Sequence, residues 1–215
     1  MHTATRFLAL FLRFFFYLIY QPLAWTYDTV AWVVSLGQWK AWVFSVLPEL
    51  HGKRVLELGY GPGHLQMAMR TKGILTFGVD QSAQMGKLAS SRLRRTKFDP
   101  LLVRARGQRL PFASGCFDKI VATFPTEYIL LPETLAQIGR LLRKGGSLVV
   151  LPVAWITGKN PLQRIFAWLF RITGQAGQWT GSFSHAISQA GFGVQEKRVS
   201  LEGSRLILLI AKLRQ

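Results

Sequence analysis

From Arg54 to the C-terminus, short apolar runs alternate with stretches whose apolar residues recur at helical spacing. The runs predict strands over Arg54 to Leu58, Ile74 to Val79, Leu101 to Arg104, Lys119 to Thr123, Ser147 to Leu151, Gly193 to Val199 and Leu206 to Lys212. The intervening stretches predict helices over His64 to Arg70, Ser82 to Arg95, Glu133 to Leu142 and Gly181 to Ala190, with Gly145-Gly146 and Gly191 as punctuation. Strands alternating with helices argue for an α/β fold, a doubly wound Rossmann-like sheet of seven strands, mostly parallel. The last two runs, joined by SLEGS, read as an antiparallel hairpin at the end of that sheet.

The first fifty residues follow another pattern. FLALFLRFFFYLIYQPLAW is apolar from Phe7 to Tyr20, but Arg13 interrupts it and Pro22 follows, leaving it short of the roughly 20 apolar residues that cross a bilayer. It also lacks the small-residue cleavage site of a signal peptide. DTVAWVVSLGQWKAWVFSVL sets Trp32, Trp39 and Trp42 among aliphatics with Lys40 between them, a composition suited to helices at a headgroup boundary. The expected organisation is therefore residues 1–50 as hydrophobic and amphipathic helices, residues 51–215 as the α/β domain, and a lid-like insert over 155–179. In that insert Leu162, Ile165, Phe166, Leu169 and Phe170 recur at helical spacing opposite Arg164 and Arg171.

Composition sharpens the picture. Charged residues make up 17% of the 215, against about 25% in an average soluble domain, and seven Trp and fifteen Phe are present. The charges are lopsided, 27 Lys and Arg against 10 Asp and Glu, for a formal net charge of +17. Such a field attracts nucleic acid or an anionic lipid surface. The aromatic N-terminus, which a nucleic-acid enzyme does not need, favours lipid and a place on the cytoplasmic side of a membrane. A single cysteine, Cys116, precludes an internal disulfide, and four scattered histidines give no metal-ligand spacing.

The chemistry gathers at VLELGYGPGHLQ, where a strand runs into three glycines two residues apart and then into a helix. In an open parallel sheet this first strand-to-helix turn floors the ligand crevice, its glycines admitting close backbone approach and its helix start offering free N–H groups. A dinucleotide fingerprint, G-x-G-x-x-G, would place its last glycine where His64 stands, so that pattern is incomplete. E-x-G-x-G-x-G, with Glu57 closing the strand, instead resembles motif I of the class I S-adenosylmethionine-dependent methyltransferases. GVDQSAQM, RLPFASGCFDKIV and LAQIGRLLRKGGSLVVLP resemble the family's later motifs in the same order, and together they cover Arg54 to Pro152.

The resemblance implies S-adenosyl-L-methionine as cofactor, with Glu57 near its ammonium and Gly59, Tyr60, Gly61 and Gly63 beneath its methionyl and ribose portions. It also implies Asp80 on the ribose hydroxyls and Gln81 against the adenine. Where many members carry an acid for the adenine amino group, this chain has Arg106, which has no acceptor to offer. Adenine is then expected to be read by the backbone of Gly107 and Gln108. YDTVAWVVSLGQWKAWVFSVLP is similar to the entry helices of the menaquinone and ubiquinone C-methyltransferases, which implies that Tyr27 and Asp28 lie over the cofactor and that the acceptor is lipophilic. A quinone precursor leads; a phospholipid amine, a non-catalytic cofactor-binding role and RNA modification are the alternatives. Glu127 and Tyr128, in FPTEY after the fourth strand, are the candidate catalytic residues, and His64 reads as a helix N-terminal residue. FPTEY shares a proline and an aromatic with the nucleic-acid amino-methyltransferase signature but lacks its amide or acid, so nucleic acid is not the expected partner.

Overall fold

A computed structural model describes residues 26–157 and 178–214. The apolar run from Phe7 to Tyr20 and the expected lid helix around Leu162 to Phe170 lie outside the described residues. Helices α1 (Tyr27–Val34) and α2 (Trp39–Phe44) and a 3-10 turn (Leu47–Glu49) lead into β1 (Arg54–Leu58). There follow α3 (His64–Thr71), β2 (Leu75–Asp80), α4 (Ala83–Arg95), β3 (Leu102–Arg104) and β4 (Phe117–Thr123). A 3-10 turn (Glu127–Leu130), α5 (Pro132–Leu141), β5 (Leu142–Ile156), α6 (Gln178–Gln189), β6 (Phe192–Leu201) and β7 (Ser204–Leu213) complete the chain.

The seven strands form one sheet in the order β3-β2-β1-β4-β5-β7-β6, with β1 to β5 mutually parallel and β7 antiparallel to both its neighbours. This is the doubly wound sheet with a terminal hairpin that the alternation of runs predicts. The chain reverses its direction of growth between β1 and β4, which opens a crevice beyond their carboxyl ends.

Side-chain alternation divides the interior into two layers. Leu56, Ile120, Leu148 and Val150 face one side and pack with Leu135 and Ile138 of α5 and Phe183 and Ile187 of α6. Val55, Val121, Val149 and Leu151 face the other and pack with Leu65 and Met69 of α3 and with Trp42, Val43, Val46 and Leu50. The expected boundary at residue 50 is therefore no break in packing: the segment after Gln38 covers one face of the sheet. Trp42 seals it there, donating from Nε1 to Oγ of Ser204 at 2.8 Å on the far hairpin.

Among the described residues no single helix is long and apolar enough to cross a membrane; α1 and the stretch Trp39–Glu49 pass that test only as a pair bent by 91°. The outer side of α1 leaves Trp32 63%, Val33 46% and Val34 40% exposed.

Several boundaries differ from the pattern-based expectation. β5 begins at Leu142 rather than Ser147, because Leu142 pairs with Phe117 before the chain bulges out through Gly145 (φ +78°) and returns at Ser147 opposite Lys119. At its other end β5 continues to Ile156, since β7 offers it a partner as far as Ser204. Trp155, the expected start of the insert, thus pairs with Arg205, and Trp179, its expected end, falls within α6.

Candidate functional site

The crevice between the ends of β1 and β4 is a cavity of about 550 Å³. Its floor is the turn after β1. Leu58 ends the strand, Gly59 (φ +74°) and Gly61 (φ +51°) turn the chain, and Gly63 (φ +83°) caps α3 in the left-handed region, a conformation open to glycine at little cost. Gly59 lies beneath Tyr128: a Cβ there would stand 2.9 Å from the phenolic oxygen. Gly63 lies outside the cavity lining. What excludes its side chain is Ala89 of α4, whose Cβ would be 2.7 Å from one on Gly63.

Two carboxyl groups line the cavity. Glu57, at the end of β1, is buried and accepts from Nε2 of Gln66 at 2.8 Å; burial pushes its carboxyl up to about 8, with the Asp80 charge adding to the rise. Asp80, at the tip of β2, accepts from the backbone N–H of Gly61 at 2.9 Å and of Ser82 at 2.8 Å. Its carboxyl is also raised by burial, against the lowering by those backbone donors. Asp80 thus ties the glycine turn to the start of α4, and each oxygen keeps a lone pair for a further donor. Tyr60 is buried beside them, its ring filling the place of a side chain at Gly78, and burial followed by the two carboxylate charges pushes its hydroxyl up to about 12.

The opposite wall is aromatic. Tyr27 of α1 meets Trp39 of α2 edge-on at 6.1 Å, and Trp39 stacks on Phe124 at 4.6 Å with 26° between planes. Phe124, just after β4, holds φ +48°, an uncommon conformation for a bulky residue. Above this wall Asp28 joins three elements: its Oδ1 lies 2.7 Å from Nε2 of His64 and its Oδ2 accepts from Nη2 of Arg92 at 2.7 Å. The bond to His64 first, and then the Arg92 guanidinium, hold its carboxyl below the usual range despite partial burial. Arg92 also donates to the carbonyl of Pro62 within the glycine turn.

Tyr27, Glu57, Gly59, Tyr60, Gly61, Asp80, Gln81, Gly107, Gln108 and Tyr128 therefore converge on one cavity, whereas Gly63 and Glu127 stand outside its lining and Glu127 is exposed. Pattern reading did not find Trp39 or Phe124 as walls, nor Arg92 as the third member of the Asp28–His64 contact. Nothing local marks them; each acquires its place by packing across the sheet. Arg106 lines the cavity at its Gly107 end. A buried carboxyl, Glu57, and a half-buried one, Asp80, over bare main chain suit a ligand that presents an ammonium and vicinal hydroxyls, and the donor set of S-adenosylmethionine fits that description.

Residues 56–150 match a family model described as a methyltransferase domain. The chain is 27% identical over 142 residues to the demethylmenaquinone methyltransferase of Symbiobacterium thermophilum, a match covering 62% of this chain and 57% of that one. It is 32% identical over 136 residues to the demethylmenaquinone methyltransferase of Beutenbergia cavernae, covering 61% and 55%. The matches thus span little more than half the length of these curated relatives. In fold it resembles the geranyl diphosphate C-methyltransferase of Streptomyces coelicolor A3(2), solved with Mg²⁺, geranyl diphosphate and S-adenosyl-L-homocysteine, with a TM-score of 0.59 and 17% identity over 81% of this chain and 80% of that one. The matching profile, the shared fold and a glycine turn flanked by Glu57 and Asp80 mark residues 56–150 as a methyltransferase domain, similar to that of the demethylmenaquinone methyltransferases.

Proposed function

We propose that the protein transfers a methyl group from S-adenosylmethionine to a lipophilic acceptor, such as a quinone precursor, at the cytoplasmic surface of a membrane. The observation that carries this reading is the shape of the site: a polar floor of Glu57, Asp80 and bare main chain faces an apolar wall of Tyr27, Trp39 and Phe124. When bound, the cofactor supplies an electrophilic methyl carbon on a sulfonium.

The residues of the chain bind, orient and exclude water. Asp80 accepts the two ribose hydroxyls on oxygens already fixed by Gly61 and Ser82. Glu57 takes the ammonium, whose charge draws its carboxyl back to the ionised form. Gly59 and Gly61 let the main chain approach, and the backbone of Gly107 and Gln108 reads the base in place of the acid that Arg106 replaces. Tyr27 and Trp39 close the cavity against water, so that positioning and desolvation supply much of the rate. Tyr128, over Gly59, is the aromatic placed to meet the acceptor; Glu127, exposed and outside the lining, is left to the surface.

The names of the curated relatives, demethylmenaquinone methyltransferases, support a lipophilic acceptor. The charge of +17 and the exposed Trp32, Val33 and Val34 support an anionic lipid surface as partner. So does an open groove beyond Tyr60, whose lining holds Lys87, Arg94, Arg95 and Arg104 and no carboxylate.

Incubation with methyl-labelled cofactor and a membrane lipid extract is expected to label an organic-soluble product. Label on a quinol fraction supports the leading acceptor and label on a phospholipid amine replaces it; label only on RNA overturns the lipophilic reading.

A further inference from the structure

His64 opens α3, where the turn needs only a residue that tolerates a helix start. The structure does more with it. The imidazole is buried, 8% of the side chain remaining exposed, yet it lines the cavity in company with Tyr27 and Trp39. Its Nε2 meets a carboxylate brought from 36 residues upstream, and that carboxylate is itself clamped by Arg92 of α4. Arg92 in turn holds the carbonyl of Pro62, two residues before His64, so α1, α3 and α4 jointly fix one ring. Among the described residues Nδ1 makes no hydrogen bond.

A carboxylate on Nε2 has two consequences. It selects the neutral tautomer with the proton on Nε2, leaving the Nδ1 lone pair available, and it stabilises the imidazolium that forms when Nδ1 takes a proton. The charged and titratable groups around the ring are Tyr27 and Asp28 from α1, Arg92 from α4 behind Asp28, and Glu57, Tyr60, Asp80, Arg106 and Tyr128 along the cavity lining; Asp28 is the one whose hydrogen bond meets the imidazole.

We propose that His64, oriented by Asp28, is the general base that takes the proton of the methyl acceptor, an apolar molecule bearing an acidic O–H or an N–H. The assignment rests on the methyl-transfer reading above. The acceptor's O–H or N–H bond breaks and its proton passes to Nδ1. The electron pair stays on the acceptor. An amine or a simple hydroxyl uses it at that atom to bond the methyl carbon, whereas a quinol passes it into the ring, whose carbon forms the bond and then loses its hydrogen to water as a proton, restoring the aromatic ring. In each case the carbon–sulfur bond breaks with its electrons on sulfur. The imidazolium then returns the proton to water. Asp28 is a positioning residue: it touches the ring and not the acceptor.

Three measurements test this. His64→Gln is expected to lower the transfer rate by about 10²–10⁴ and to abolish the acid limb of the pH–rate profile. Its affinity for the cofactor, read by calorimetry, should stay within about threefold, well short of the tenfold that 1.4 kcal/mol represents. Asp28→Asn should retain the acid limb but move it to lower pH, because the imidazolium loses its carboxylate, with a smaller loss of rate. Independently of activity, ring ¹⁵N NMR of the full chain should show neutral His64 protonated on Nε2, with the tautomer ratio disturbed in Asp28→Asn. A His64→Gln enzyme of undiminished rate, or one that loses cofactor affinity in proportion to rate, overturns the proposal. Should the wild type transfer methyl to no acceptor, the proposed function falls and NMR alone judges the dyad: an Nδ1-protonated ring, or one indifferent to Asp28→Asn, overturns it too.

Discussion

A methyl group added at Gly63 would stand 2.7 Å from the Cβ of Ala89, so the end of the glycine turn touches α4 with no room between. Gly61, two residues earlier, has nothing within 4 Å of the same point, although both hold positive φ. Gly61→Ala then carries only the backbone cost, about 1–2 kcal/mol. Gly63→Ala adds overpacking of roughly 1–3 kcal/mol to a similar backbone cost. Urea unfolding of the two variants should place Gly63→Ala clearly below Gly61→Ala; equal midpoints would contradict the contact.

Glu57 couples stability to pH. Its carboxyl is raised from 4.5 to about 8 by burial. Between those values the folded chain holds a proton that the unfolded chain has released, so stability falls as pH rises through that window, by a few kcal/mol. Glu57→Gln removes its share of the slope and leaves that of Asp80, which burial also raises. Denaturant midpoints at pH 5 and pH 8 should differ more for wild type than for the variant.

The same residue predicts proton release on cofactor binding. An ammonium beside Glu57 favours its carboxylate, so binding at pH 7 should expel up to about one proton from this site. Calorimetry in two buffers of different ionisation enthalpy should give different apparent heats for wild type and closely similar heats for Glu57→Gln.

Asp80 carries both a structural and a binding role. Replacing it with Ala removes acceptors for the N–H groups of Gly61 and Ser82 and for the ribose. Cofactor affinity should drop by about 1.5–3 kcal/mol, the range for hydrogen bonds to a charged group. A titration showing unchanged affinity would remove the ribose from this carboxylate.

Trp42 and Ser204 fasten the N-terminal segment to the terminal hairpin. Ser204→Ala leaves the indole N–H buried without its acceptor, at about 1–3 kcal/mol, whereas Trp42→Phe with Ser204→Ala removes both partners. In a double-mutant cycle the two changes should couple by at least about 0.5 kcal/mol.

The legible parts of this protein are those written in short stretches. β1 is read as Arg54–Leu58 and found there, because an apolar run ending in glycine leaves few alternatives. α4 begins one residue later than expected because Ser82, as N-cap, accepts from the N–H of Met85 instead of joining the helix. β5 is longer at both ends than its apolar run, since pairing with β4 and β7, and not local pattern, decides where a strand stops. The cavity shows the same division. Glu57, Gly59, Gly61 and Asp80 are found by their likeness to a family's motifs along the chain, while Phe124 is bent into positive φ where it stacks on Trp39 from another element.

By itself the sequence determined the order of elements, the parallel sheet and the glycine turn, because periodicity and backbone freedom are properties of neighbours along the chain, and its likeness to a family's motifs pointed to the two carboxylates beside that turn. The tertiary structure decided that the segment after Gln38 belongs to the core, that Gly63 serves helix contact, and that Asp28, His64 and Arg92 meet. Those facts depend on distances between residues tens of positions apart, and only the packing of helices on a twisted sheet sets them.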